Sequence, residues 1–332
     1  MKISLIGSKN FDSLEYHLYD SLTFLGHEIF HIDIIDVINI PFKYNYWATK
    51  LSPKYDEHIF DKIANKVIEQ KPDLVIATYR FIHPNCIRQI KKQLPSIPVV
   101  HINPDALTTF EHQQVFASPY DAFFTKDPYI VEFMRKKMKL NAYYLPEALN
   151  PRVHKPVDKD RIQLEKDINI DVVAFGTMYP YRANMVSQLI KADIKVALFG
   201  VPDKRFPKSE ITQNFRNEYI TGDRKAEILY GSKIVFNNFH YAEIESVNVK
   251  LFEIYGIGGF QICDYKPTIE EYTKVDAKKY TYKTIDEAIE LIKYYLPKRD
   301  ERHLLAEKQM KHFRANHTYE HRIKEIFSVL KM

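Results

Sequence analysis

The chain has 332 residues, more than one hydrophobic core usually serves, so two domains are expected. Hydrophobic residues make up 45% and charged residues 27%, which excludes wholesale disorder. The net charge of +5 is spread over both halves, which argues against a dedicated basic module for nucleic acid, and no apolar stretch approaches the roughly 20 residues of a membrane-spanning helix.

From the N-terminus, KISLIG reads as a strand turning at Gly7, followed by a helical period from Leu14 to Leu25. The opening MKISLIGS has one lysine and too short an apolar run for a signal peptide, so a cytoplasmic protein is expected. DLVIAT, PVVHIN, DAFFTK and AYYLPE then follow as buried strands between helical stretches, the pattern of a parallel sheet with crossover helices. Cys86 and Cys263 lie far apart in apolar surroundings and make neither a disulfide framework nor a zinc cluster. LPEALNPRVHKPVDKDRIQLEKD holds three prolines and dense mixed charge without an apolar period, which predicts a linker. A second α/β cycle starts after it with DVVAFGT, IKVALFG, KIVFNNF and GFQICD, and the chain ends in an amphipathic helix, NHTYEHRIKEIFSVLKM. The expected divisions are a first Rossmann-like domain over 1–150, a second over 151–317, and a terminal helix over 318–332 that crosses back to the first.

Seven of the nine glycines lie after residue 170, several directly behind strands, where a backbone free of Cβ lets N–H groups approach an anion. The second domain is therefore the expected phosphate binder. Within ESVNVKLFEIYGIGGFQICD, Ser246 is a plausible N-cap of a helix running to Tyr255, with Gly256 as its stop. Glu253 then falls almost in line with Ser246, Val249 and Lys250. It either receives two ribose hydroxyls while the helix start at Val247 and Asn248 faces a phosphate, or it pairs with Lys250 on a solvated face for at most about 0.5 kcal/mol.

Other candidates come from loops behind strands. Asp12, His83 and Asp105 follow first-domain strands, and Asp105 in HINPDA either orients or deprotonates an acceptor hydroxyl or forms a turn. His240, close to Glu245, is either a further catalytic candidate or, more commonly for a lone histidine, a hydrogen-bonded structural residue. Arg135, Lys136, Lys137 and Lys139 in FMRKKMKLN either lie at a membrane surface or complement a helix dipole. Tyr44 to Trp47, YNYW, either stack on a sugar ring or, more commonly for such a cluster, pack inside. The DKD triplet at Asp158 to Asp160 sits in the charged linker instead of behind an apolar strand, so no metal is expected there.

The spacing of Glu245 and Glu253, followed by IYGIGGFQICD, resembles the donor-site motif of retaining two-domain (GT-B) glycosyltransferases. SVNVKLFEIYGIGGFQICD, TIDEAIELIKYYL, NHTYEHRIKEI, VAFGTMYPYR, GSKIVFNN and YLPEALNPRVHKP together resemble the CgeB-like, spore-maturation-protein group of that family, more strongly in the second half than in the first. The resemblance implies two Rossmann-like α/β domains with parallel sheets facing a cleft. Glu253 would hold the ribose of a nucleotide-diphosphate sugar, UDP-sugar favoured, and Glu245 would lie near the sugar or its phosphates. Gly176 and Thr177 would form the phosphate-facing turn, Gly200, Ser246, Val247 and Asn248 would also line the nucleotide-sugar site, and Arg182 with Lys233 would neutralise the leaving diphosphate without a metal. The implied activity is hexosyl transfer to a hydroxyl acceptor, on a glycan, lipid, protein or DNA. A nucleotide-sugar epimerase or hydrolase on the same fold, and a non-catalytic ligand- or DNA-binding protein, are the alternatives.

Overall fold

The computed structural model describes residues 1–103, 105 and 114–332. The chain forms two compact units, one of Met1–Pro146 with Arg322–Met332 and one of Glu147–His321. The helix Tyr319–Leu330 thus starts in the second unit and ends in the first.

In the first unit six parallel strands run in the order β2 (Glu28–Ile32), β1 (Lys2–Ile6), β3 (Leu74–Ala77), β4 (Val99–Asn103), β5 (Ala122–Thr125) and β6 (Ala142–Tyr144). Every residue of β3, β4 and β5 is buried, which is why these strands read as continuous apolar runs. The helix Pro53–Gln70 covers the sheet through Ile59, Phe60, Ile63, Ala64 and Val67, all buried at helical spacing. Ser52 caps it, Pro53 presets its first turn and Lys71 ends it in the left-handed region. Burying each of its larger apolar side chains is worth about 1.5–3 kcal/mol.

The chain passes from β1 to β2 on one side and then crosses back to β3 on the other side of β1, so the sheet's topological switch point lies behind β1. There the Thr78 hydroxyl donates to Glu15 Oε1 at 2.5 Å. A Cβ on Gly7 would meet both Glu15 Cγ and Thr78 Oγ1 at 2.3 Å, so only glycine fits.

The second unit has five parallel strands in the order β11 (Thr281–Tyr282), β10 (Gln261–Asp264), β9 (Ile234–Asn237), β7 (Val172–Phe175) and β8 (Val196–Phe199). Its switch point lies between β7 and β9. The stretch expected to be a linker is largely part of this unit. Leu149, Asn150 and His154 are fully buried, and Arg314 donates to the carbonyls of His154 at 2.8 Å and Pro151 at 3.2 Å. Asp160 of the DKD triplet caps a helix, Arg161–Ile168, that packs on the helix Gly222–Gly231. Prolines and charges hid this packing because the buried groups are bonded through their backbone.

Candidate functional site

Two cationic side chains of the second unit meet behind β7. β7 ends at Phe175, and Gly176 follows with φ +99°, a left-handed conformation that favours glycine. Behind it Gly200 has φ +112°, and a Cβ there would lie 2.5 Å from Gly176 O, so the two turns touch backbone to backbone. The helix Pro180–Lys191 then begins, and Arg182, in its first turn, reaches back towards the helix N-terminus. Arg182 Nε donates to Asn238 Oδ1 at 2.8 Å, and its NH1 donates to Thr177 O at 2.7 Å and Phe175 O at 3.4 Å.

A second cation enters the same space. Lys250, on the helix Val249–Ile257, donates its ammonium to Phe175 O and lies 4.5 Å from the centre of the Phe175 ring. A Cβ placed on Gly176 would meet Lys250 Nζ at 2.6 Å and Arg182 NH1 at 3.4 Å, so both cationic ends face one small volume over Gly176. Arg182 is 8% exposed; Lys250 is half-buried as a residue, with dense packing around its ammonium. Neither has a carboxylate within ion-pair distance among the described residues. Burial lowers the pKa of both, and for Lys250, pushed well below its ordinary value, the charge of Arg182 adds to the effect.

The helix carrying Lys250 is fixed by an amide network. Asn248 Oδ1 accepts from Leu251 N at 3.2 Å and from Asn237 Nδ2 at 3.1 Å, and Asn237 Nδ2 also donates to Gln261 Oε1 at 3.0 Å. Asn248 is therefore the N-cap, not Ser246, and the helix ends at Gly258 with φ +93°, not at Gly256. Ser246 instead gives its hydroxyl to the buried carboxylate of Glu243, and Gly256 stays helical where Leu149 and the His154 carbonyl crowd it. The Val247 side chain is buried.

Glu253 is 5% exposed, so it does not lie on a solvated face, and its ion-pair partner is not Lys250. Lys225, from the helix Gly222–Gly231, places Nζ 3.3 Å from Glu253 Oε2, and His154 Nε2 stands 3.7 Å from Oε1. Asn150 N donates to His154 Nδ1 at 3.0 Å, so a neutral His154 carries its proton on Nε2, towards Glu253. Glu245 is half-exposed in the preceding loop, its carbonyl accepting from Thr268 Oγ1 at 2.6 Å. His240 accepts from Ala242 N at 3.2 Å and has its ring 4.2 Å from that of Tyr241.

Other expected residues lie elsewhere. Lys233 immediately precedes β9 and pairs with Asp171 at 2.6 Å. It occupies the N-terminal edge of the parallel sheet, opposite the edge that carries Gly176, so it does not join Arg182. Lys250 occupies the place that sequence reasoning gave to Lys233; its position in a helix behind β9 was the available signal. In the first unit, Asp12 lies 3.2 Å from His17 Nε2, His83 caps the helix Pro84–Gln93, and Asp105 pairs with Arg80 at 2.8 Å. Arg135 is tied to Ala142 O at 2.6 Å, Lys136 pairs with Glu132, and Lys139 ends its helix in the left-handed region. The YNYW cluster is not an internal packing cluster, since Tyr44 is 63% and Trp47 56% exposed.

Two parallel-sheet α/β units in this strand order make the fold that of the GT-B glycosyltransferases. The family described as glycosyl transferase-like matches residues 182–328, a span that starts at Arg182 and includes Lys225, Lys250 and Glu253. That match covers less than half of the chain, and the fold around it is that of GT-B structures. Sucrose-phosphate synthase of Thermosynechococcus elongatus superposes with a TM-score of 0.72 at 11% identity, covering 99% of this chain and 98% of that one. HepE of Anabaena, solved with UDP and glucose, gives 0.63 at 12% identity, covering 99% of each chain. T4 phage β-glucosyltransferase, solved with UDP-glucose, gives 0.58 at 12% identity over the whole of both chains. No curated protein matches the chain in sequence.

Proposed function

We propose that this protein transfers a hexose from a nucleotide-diphosphate sugar, UDP-sugar favoured, to a hydroxyl acceptor. The observation that carries this reading is the pair of enclosed cations, Arg182 and Lys250, which share the space over Gly176 without a carboxylate partner among the described residues. Packing two cations together, with Glu253 and Asp264 acting on them only from beyond ion-pair distance, is costly, and an anion placed between them offsets the cost. The place is the switch point of a parallel sheet, beside the N-terminus of the helix Pro180–Lys191, where phosphates are bound in other α/β proteins. The UDP and UDP-glucose complexes of the similar structures support the same chemistry.

In this reading Arg182 and Lys250 take the charge that develops on the diphosphate as the glycosyl–phosphate bond breaks, and the backbone at Gly176 and Thr177 leaves room for it. Two fixed cations supply that charge, so metal-independent transfer is part of the proposal. Glu253, oriented by Lys225 and His154, accepts the ribose hydroxyls, and Glu245 lies towards the sugar. Retention of anomeric configuration rests on the spacing of Glu245 and Glu253 before IYGIGGFQICD, and kinship with CgeB-like proteins on the wider set of segments that resemble that group.

The test is a binding panel of UDP, GDP, ADP and UDP-glucose on the wild type, Arg182→Ala and Glu253→Gln, read as ligand-induced rise in unfolding temperature. A rise with UDP and UDP-glucose that falls in both variants is the expected result. No rise with any nucleoside diphosphate, or full rises in both folded variants, would overturn the assignment.

A further inference from the structure

The helix Phe42–Leu51 in the first unit is turned inside out. Its only buried side chain is Asn45, which accepts a hydrogen bond from the Tyr55 hydroxyl at 3.1 Å. Its large apolar residues face solvent: Phe42 is 45% exposed, Tyr44 63%, Trp47 56% and Leu51 81%, with Ile40 just before it at 40%. Tyr44, Trp47 and Leu51 fall at i, i+3 and i+7, a single stripe along one face. Isolated exposed apolar residues need no explanation, but a continuous aromatic and aliphatic stripe on one surface helix does.

The charges beside the stripe are of one sign. From Pro41 to Leu51 there is no acidic residue, and Lys43, Lys50 and, three residues on, Lys54 are all exposed. Lys50 lies 4.2 Å from the centre of the Tyr46 ring, which holds its ammonium beside the stripe instead of across it. A protein partner of ordinary composition would not require this one-sided basicity. Tryptophan, tyrosine and leucine on one face with lysines at its flank is the composition of a helix that lies in the headgroup region of an anionic bilayer.

We propose that the helix Phe42–Leu51 is a membrane-surface anchor that beds Tyr44, Trp47 and Leu51 into an anionic phospholipid bilayer. The surface is separate from the Arg135–Lys139 segment, in which Arg135 and Lys136 already have partners within the fold.

Trp47 is the chain's single tryptophan, so the protein carries its own reporter. Phosphatidylglycerol–phosphatidylcholine vesicles added to the full chain should shift its emission to shorter wavelength, and brominated lipid should quench it. Phosphatidylcholine alone should bind far more weakly. Lys50→Glu should weaken vesicle binding by more than the roughly fivefold that one lysine supplies near an anionic surface. Leu51→Glu, at a side chain too exposed to affect folding, should weaken it by more than about tenfold. Lys137→Glu should leave both the shift and the affinity unchanged. No shift with anionic vesicles, binding that survives Leu51→Glu, or binding lost only in Lys137→Glu would overturn the proposal. So would a concentration-dependent dimer that shields Trp47 from aqueous quencher while vesicles have no effect. Nucleotide binding is a separate readout, so failure here leaves the donor-site reading standing.

Discussion

Lys250→Met separates the stability of the second unit from its anion binding, because the two should move in opposite directions. The ammonium is densely packed, repelled by Arg182, attracted less strongly by Glu253 and, among the described residues, bonded to Phe175 O, which keeps Arg182 NH1 at 3.4 Å when the lysine is removed. Methionine keeps the stem and removes the charge, so the free protein should be as stable as the wild type or more so. The sign with pH is fixed by the direction of the shift. The folded pKa lies below the unfolded value of about 10.5, so between the two the unfolded chain binds more protons. Wild-type stability should therefore rise with pH across that window from a level value below it, and the variant should lack this Lys250 contribution. Affinity moves the other way. A charge-assisted hydrogen bond to a phosphate is worth about 1.5–3 kcal/mol, so UDP binding should weaken by roughly 10- to 150-fold. An anion beside Lys250 also raises its pKa again, so wild-type binding should take up protons above the free-state value and the variant should take up fewer. Calorimetric titration in buffers of different ionisation enthalpy measures that uptake, and urea unfolding measures the stability. A folded variant that binds UDP as tightly as the wild type, with the same proton uptake, would refute the placement of Lys250 on the diphosphate.

Two further predictions test the surroundings. Gly176→Ala forces a Cβ into φ +99° and to 2.6 Å from Lys250 Nζ; the backbone term alone costs about 1–2 kcal/mol, and the displaced lysine should weaken UDP binding as well. Urea unfolding and titration that both match the wild type would contradict the close approach. In the first unit, burial pushes the His101 imidazole from 6.5 down to about 4, so across that interval the unfolded chain binds more protons and stability falls as pH falls. The accumulated loss is about 3 kcal/mol, and His101→Leu should flatten the slope; an unchanged slope in urea unfolding would show that other groups carry it.

Much of the fold was legible because its central strands are buried on both faces and so read as unbroken apolar runs. β2 and β11 were not: β2, EIFHI, is only part-buried at an edge, and β11 is two residues long. Chemistry was less legible, because its partners come from different elements. Spacing along one helix suggested that Glu253 pairs with Lys250, but the partner, Lys225, comes from another helix, and no local period reports that. The two lysines on either side of β9 carry the sharper lesson. Lys233 and Lys250 are chemically alike and both lie close to that strand in sequence, yet one precedes it and the other follows it. In a parallel sheet that order decides everything, because the strands deliver their loops, and the helix N-termini behind them, to the C-terminal edge. Lys233 pairs with Asp171 at the N-terminal edge, whereas Lys250 reaches Phe175 O at the C-terminal edge with no carboxylate at ion-pair distance among the described residues. In the proposed reading, position at the C-terminal edge, together with the lack of a carboxylate at ion-pair distance among the described residues, sets Lys250 and not Lys233 beside Arg182.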